Sequence, residues 1–181
     1  MHGSLRSRPP RNVAAVLLAV GGLVLTACRP DSNPSAGQAE LSDARAVVAY
    51  VQGTRPLLDG EPQKAIDSFS KVIQFEPDYA KAYVSRGIAY QQKGSLEGAV
   101  ADFSEAIKTG LSQPDLAVAY QIRGACYLEQ AKWDEAIANA TEAIRHQPDV
   151  YVALYQRGLA YGKRGDHKKA VADFTEVLRA D

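Results

Sequence analysis

The fold of this chain is decided by a stretch that occurs three times with variations. It reads AKAYVSRGIAYQQKGSLEGAVADFSEAIKTG over residues 80–110, AVAYQIRGACYLEQAKWDEAIANATEAI over 117–144 and YVALYQRGLAYGKRGDHKKAVADFTEVLRAD over 151–181. Each copy carries an Arg-Gly pair, and the glycines Gly87, Gly124 and Gly158 are 37 and 34 residues apart. Self-similarity at this period indicates supersecondary units that stack on one another.

Each copy has the pattern of two helices. A large residue is followed by a small residue four positions later and by an aromatic residue three positions after that, which places all three on one helix face. A second helix carries small or large apolar residues at a similar spacing, so we predict antiparallel helices that approach closely at the small residues. The first-helix sets are Tyr83, Gly87, Tyr90; Tyr120, Gly124, Tyr127; and Leu154, Gly158, Tyr161; the second-helix sets are Ala99, Phe103, Ala106; Ala136, Ala140, Ala143; and Ala170, Phe174, Val177.

The period and these residues resemble the tetratricopeptide repeat (TPR) family. The resemblance implies an all-α fold, a right-handed TPR solenoid of antiparallel helix pairs, with about three clear repeats. A degenerate N-terminal repeat precedes them, in which Gly53 and Phe69 occupy matching places but Pro56 replaces the aromatic residue. Because proline breaks helices, we expect an irregular first helix there. The spacing of 37 predicts a longer loop near Gly110 between two repeats.

The N-terminal residues 1–28 have the pattern of a secretion signal. Arg6, Arg8 and Arg11 precede an uncharged run over 13–25, which is the length of a signal-peptide core and short for a membrane span. The run ends in Leu-Thr-Ala-Cys28, which resembles the lipobox of bacterial lipoproteins. We therefore predict a lipoprotein signal peptide over 1–27 and lipidation of Cys28; the alternative is an ordinary signal peptide with an incidental thiol at Cys28.

Residues 28–40 are predicted to hold the lipidated cysteine and a flexible tether, because they are rich in Pro, Ser, Asn and Gly. The TPR helical domain is predicted over 41–181. In the lipoprotein family an aspartate after the cysteine favours the inner membrane. Arg29 stands at that position here and favours the outer membrane, with the domain facing the periplasm.

Composition and motifs exclude several functions. The formal net charge is zero, and without residues 1–27 the chain has 18 basic and 21 acidic residues, which argues against nucleic-acid binding. The two cysteines and three histidines lack metal-ligand spacing, so we predict no metal site and no cofactor. No phosphate loop, nucleophile elbow or metal-binding helix motif is visible. The sequence therefore predicts that the protein is not an enzyme.

Arg86, Arg123 and Arg157 recur at one position of the repeat, and Asp102 and Asp173 recur on the second helices. We interpret these arginines as structural ion-pair partners, exposed and of little energetic weight, rather than as an anion site. Cys126, within a packed helix, is interpreted as a buried structural thiol.

The expected binding surface is the concave groove that first helices line in the TPR family. Transferred to this chain, its residues form a mixed apolar and amide-rich surface for an extended peptide or a helix. The carboxylate clamp of co-chaperone TPR domains is absent, because Ser85, Ile122 and Gln156 stand where it needs Asn or Arg. The groove residues are Lys81, Val84, Gln91, Gln121, Ile122, Leu128, Tyr155, Gln156 and Lys163, and Ser85, Val118 and Val152 occupy further positions of the same groove.

A second surface is expected on the last helix. Val171 and Leu178 lie seven residues apart on a stripe that another repeat would cover, which predicts a homodimer or a docked partner. Taken together, the residues favour a membrane-anchored protein-binding scaffold of the bacterial envelope. A pilotin-like assembly factor for a pilus or secretion system is the alternative within binding proteins, and an envelope enzyme is the contrasting class.

Overall fold

The protein is described by a computed structural model, which covers residues 34–149 and 151–179 and describes side chains from Ala44 onward. Contacts divide the chain after Leu41, and the helical repeats lie in the unit from Ser42 to Asp181. Within the described ranges the secondary structure is entirely helical, which confirms the predicted all-α class. The helices are α1 (Pro34–Leu58), α2 (Pro62–Phe75), α3 (Ala80–Gln92), α4 (Leu96–Thr109), α5 (Gln113–Glu129), α6 (Trp133–His146), α7 (Tyr151–Arg164) and α8 (His167–Arg179).

Successive helices pack in pairs, and the pairs stack in chain order. Helix α3 packs on α4, α5 on α6 and α7 on α8, while α3, α5 and α7 also pack on the second helix of the preceding pair. Helices α5 and α7 contact each other directly. This is the solenoid of antiparallel pairs that the repeat predicts.

The close approach within each pair depends on glycine. A Cβ atom added to Gly53 would lie 2.8 Å from the Phe69 ring, and one added to Gly87 would lie 3.2 Å from the Phe103 ring. Phe69 and Phe103 are fully buried, so other side chains surround both rings. The prediction that small residues permit the helices to pack closely is therefore confirmed at these positions.

Helix α1 differs from the sequence expectation at both ends. It begins at Pro34, so residues 34–40, assigned to the flexible tether, are helical; residues 28–33 lie outside the described part. Pro34 occupies the first helical position, where its missing N–H costs nothing, and the Ala, Gln and Glu residues after it favour helix. The helix also continues through Pro56 to Leu58, so the expected irregularity is wrong. Pro56 lies in the last turn, so only Leu57 and Leu58 follow it in the helix.

The three extra residues of the 37-residue spacing lengthen a helix and not a loop. The connection between α4 and α5 has only residues 110–112, whereas α5 has 17 residues and α3 has 13. Ser112 precedes α5, and its hydroxyl donates to the Asp115 carboxylate at 2.7 Å. With Pro114 in the first turn, these residues start the helix one turn early.

Candidate functional site

The three repeated arginines join four second helices, α2, α4, α6 and α8, into one polar row. Arg86 Nε and Nη2 donate to the two Asp102 carboxylate oxygens at 2.7 and 2.8 Å. Arg86 Nη1 donates to Ser70 Oγ of the preceding repeat at 3.1 Å. Each arginine thus links the second helix of its own repeat to the second helix before it.

The fourth repeat reproduces this arrangement. Arg157 Nε and Nη2 donate to Asp173 at 2.9 and 2.7 Å, and Nη1 donates to Thr141 Oγ1 at 3.4 Å. Asp102 and Asp173 are only 5% and 7% exposed, and their hydrogen bonds raise the pKa values of Arg86 and Arg157 above the usual value. The structural interpretation of these pairs is confirmed, but the expectation that they are exposed is wrong.

The third repeat breaks the pattern at one residue. Asn139 replaces the aspartate and accepts from Arg123 Nε at 2.8 Å, while Arg123 Nη1 donates to Ser104 Oγ at 2.8 Å. The Asn139 amide nitrogen donates to the Glu135 carbonyl oxygen at 2.8 Å. Arg123 therefore keeps its position in the row without a carboxylate partner.

The predicted groove residues lie along the first helices, and some of them are open to solvent. On α7, Val152 and Tyr155 are 56% and 50% exposed, and on α5 Val118 is 43% exposed. Lys81 and Lys163 are exposed, whereas Gln91, Gln121 and Leu128 are half-buried. Since α5 and α7 contact each other, the exposed side chains Val118, Val152 and Tyr155 lie on neighbouring helices.

Several groove residues also stabilise the solenoid. Val84 and Ile122 are half-buried and pack against the core cluster that contains Phe103. Lys81 Nζ lies 3.4 Å from an Asp115 carboxylate oxygen on the next first helix. Ser85 is buried, and its hydroxyl lies 3.2 Å from the Tyr50 hydroxyl. These four residues are therefore partly or wholly occupied by contacts within the protein.

Tyr155 and Gln156 show the same division of roles. The Tyr155 ring lies 5.7 Å from the Phe174 ring, centroid to centroid, so this side chain also contributes to the packing of α7 on α8. The Gln156 amide oxygen is buried and accepts no hydrogen bond from a described residue. A buried acceptor without a donor costs about 1–3 kcal/mol, so Gln156 is a weak point of the fourth repeat.

The face of α8 that bears Val171 and Leu178 is the second predicted surface. Val171 and Leu178 are 63% and 76% exposed. In the second repeat the equivalent positions, Val100 and Ile107, pack against the core cluster that the next repeat completes. No described residue covers Val171 and Leu178 in this way.

Reactive and metal-binding groups are sparse in the described part. Cys126 is buried, and burial raises the pKa of its thiol to about 11, as expected of a structural cysteine. Among residues 44–149 and 151–179, no three His, Cys, Asp or Glu side chains converge as metal ligands do. None of the described helices is both long and apolar enough for a bilayer span. Cys28 lies outside the described residues.

Sequence reasoning missed the hydroxyl acceptors Ser70, Ser104 and Thr141, and also the stacking of Tyr120 on His146 at 5.7 Å. A signal for the acceptors was available, because Ser70 precedes Arg86 by the same 16 residues by which Asp102 follows it. The buried Gln156 oxygen had no sequence signal, since it depends on how neighbouring helices close over the side chain.

Solved structures of other proteins share this arrangement of helices. A crystal structure of MamA is 26% identical, superposes with a TM-score of 0.70 and covers 75% of this chain and 77% of that one. The first TPR of Spaghetti (RPAP3), bound to the HSP90 peptide SRMEEVD, is 20% identical with a TM-score of 0.58 and covers 73% of this chain and 94% of that chain. The second comparison shows the fold alone.

A curated mouse protein, described as FK506-binding protein-like, is 43% identical over 51 residues. These residues are 28% of this chain and only 15% of the mouse protein. The family model described as tetratricopeptide repeat matches residues 57–114 and 127–181, more than half of the chain. On its repeat period, its paired helices and this match, the chain belongs to the tetratricopeptide repeat family.

Proposed function

We propose that this protein is a non-enzymatic scaffold of the bacterial envelope, which a lipid on Cys28 holds at the outer membrane. It binds a partner protein or peptide along the first helices of its repeats. The Leu-Thr-Ala-Cys28 sequence behind an uncharged run supports the anchor. The observation that carries the binding role is the open surface of α5 and α7, with Val118, Val152 and Tyr155 exposed.

The chemistry of this surface favours a ligand with apolar side chains and backbone amides. Gln121 offers both a donor and an acceptor to an extended backbone, and the exposed valines offer apolar contact. An acidic peptide of the kind bound by the RPAP3 domain is not proposed as the groove ligand. Ser85 is buried against Tyr50, and Ile122 packs in the core cluster, so neither presents a charged group to the groove.

Photo-crosslinking in intact cells tests the groove. A benzophenone amino acid at Val152 is expected to yield a discrete adduct whose partner is identified by mass spectrometry. The same label at Ala101, an exposed position on the second helix α4, serves as the matched control. Equal adducts from both positions, or none from Val152 with the protein folded and expressed, would contradict the proposal.

We also propose that Val171 and Leu178 form a contact between two copies of the chain, because large exposed apolar side chains on one helix face usually mark an interface. Light scattering over a concentration series is expected to show a dimer, and Val171→Glu with Leu178→Glu is expected to convert it to monomer. A wild-type protein that stays monomeric at every concentration would exclude this contact.

A further inference from the structure

Three arginines occupy one position of the repeat, and in two of them the chain supplies the carboxylate. Arg86 and Arg157 each donate from Nε and from Nη2 to the two oxygens of one aspartate. In the third repeat Arg123 has only the Asn139 amide oxygen, which accepts from Nε. The second terminal atom of the Asn139 side chain is an amide nitrogen, which is a donor, so Arg123 lacks the second acceptor that Arg86 and Arg157 have.

Asn139 cannot supply the missing acceptor. Its amide nitrogen donates to the Glu135 carbonyl oxygen, so the oxygen and nitrogen of the side chain are fixed by two partners. Arg123 Nη2 has no hydrogen-bond acceptor among the residues that the structure describes. The Arg123 side chain is half-buried, so part of it is open to solvent. A guanidinium with an open donor edge is the group that recognises carboxylates in proteins.

An open hollow borders Arg123. It has a volume of about 250 Å³ and is lined by Tyr120, Arg123, Ala138, Asn139, Thr141 and Glu142. The Tyr120 ring lies 5.3 Å from the guanidinium carbon and holds its plane in place. The Thr141 hydroxyl donates to the Ile137 carbonyl oxygen at 2.8 Å and accepts from Arg157 Nη1. Its proton is therefore not available to a ligand in the hollow.

The charges around the hollow limit which anion fits. Glu142 lies on its rim, and its carboxylate is paired with Arg145 at 3.0 Å. Arg123, in contrast, is hydrogen-bonded to Asn139 and Ser104 and has no acidic partner among the described residues. The neighbouring Glu142 charge disfavours a doubly charged phosphate, whereas a single carboxylate reproduces the pairing that Asp102 and Asp173 make elsewhere in the chain.

We propose that the hollow at Arg123 binds a carboxylate of a partner molecule, which supplies the negative charge that the third repeat lacks. The carboxylate comes either from an Asp or Glu side chain or from a chain end. This site uses none of the groove residues, so it does not rest on the proposed groove function.

Guanidinium NMR of the full chain in neutral detergent tests the site. The Nε–Hε signals of Arg86, Arg123 and Arg157 are followed during titration with N-acetyl-aspartate amide, which mimics a side chain, and with N-acetyl-alanine, which mimics a chain end. Sodium chloride at matched ionic strength is the control. We expect a saturable shift of the Arg123 signal and no shift of the other two; the probe that saturates at lower concentration identifies the source of the carboxylate.

A reciprocal exchange provides matched variants. Asn139→Asp restores the aspartate and is expected to abolish the shift of Arg123. Asp102→Asn creates the third-repeat arrangement in the second repeat and is expected to make Arg86 respond, with helicity by circular dichroism as the check on folding. An Arg123 signal that does not respond, that responds equally to chloride, or that still responds in Asn139→Asp would overturn the proposal.

Discussion

Arg86 and Asp102 form a bidentate ion pair, with N–O distances of 2.7 and 2.8 Å, between the two helices of the second repeat. Both side chains are largely shielded from water. Because a buried charge that loses its partner keeps its desolvation cost, the two residues are expected to depend strongly on each other.

Asp102→Ala is therefore expected to lower the free energy of unfolding by about 2–4 kcal/mol, with the partial exposure of Arg86 keeping the loss below the largest values. Urea denaturation measures the effect. The control is Glu105→Ala, which removes the exposed partner of Lys108 on the same helix and is expected to cost less than about 0.5 kcal/mol. Equal losses in the two variants would show that burial does not strengthen the Arg86–Asp102 pair.

Two helical glycines are expected to respond in opposite directions to the same substitution. Gly53→Ala would place a Cβ 2.8 Å from the buried Phe69 ring and is expected to destabilise by about 1–3 kcal/mol. Gly162→Ala meets nothing nearer than 3.8 Å and is expected to stabilise by about 0.5–1 kcal/mol through helix propensity. Thermal melting of both variants tests the assigned packing, and a stabilised Gly53→Ala protein would refute it.

Ala131 lies in the turn of the third repeat at a φ of 55°, where Gly94 and Gly165 hold the left-handed conformation in their repeats. An L-residue pays a steric cost there, so Ala131→Gly is expected to stabilise the protein by up to about 1 kcal/mol. The matched control is Ala101→Gly in the middle of α4, which is expected to destabilise by about 0.5–1 kcal/mol. The chemical denaturation midpoints should therefore move in opposite directions, and a loss of stability in both would contradict the turn assignment.

Substitutions at three groove residues are expected to affect partner binding and stability to different degrees. Gln121→Ala is expected to weaken partner binding in a pull-down while leaving the melting temperature nearly unchanged. Tyr155→Ala is expected to weaken binding and also to cost about 0.5–1.5 kcal/mol, because its ring contacts Phe174. Gln156→Met is expected to preserve or raise stability, since it removes a buried acceptor without a donor. Unfolding of Gln121→Ala would show that the groove face is wrongly assigned.

Membrane attachment through Cys28 remains a prediction from the sequence. Cys28→Ser is expected to abolish labelling by a radioactive fatty acid and to change electrophoretic mobility, because the hydroxyl cannot form the thioether of a lipoprotein. Cys126→Ser is the matched control and should keep the label, since Cys126 is a buried thiol of α5. Retention of the label in Cys28→Ser would exclude the lipoprotein assignment.

The sequence predicted what depends on local spacing. The helix pairs follow from this spacing, because a period of 3.6 places Gly87 and Tyr90 on one face of α3, and Ala99 and Phe103 on one face of α4, whatever surrounds them. The predictions from the sequence were wrong where a local signal competes with the surrounding helix. Pro56 is a helix breaker in the interior of a helix but is tolerated in the last turn of α1, and residues 34–40 combine turn-forming with helix-forming residues.

By itself, the sequence determined the class of fold and the family, because the repeated apolar pattern specifies a pair of packed helices in each unit. Only the tertiary structure decided which polar residues are buried and what they meet. Arg86, Arg123 and Arg157 are alike in sequence position, yet the first and third close on carboxylates while Arg123 meets an amide and an open hollow. The cost of a buried charge depends on the atoms within a few ångströms of it, and those atoms come from helices 16 or more residues away along the chain.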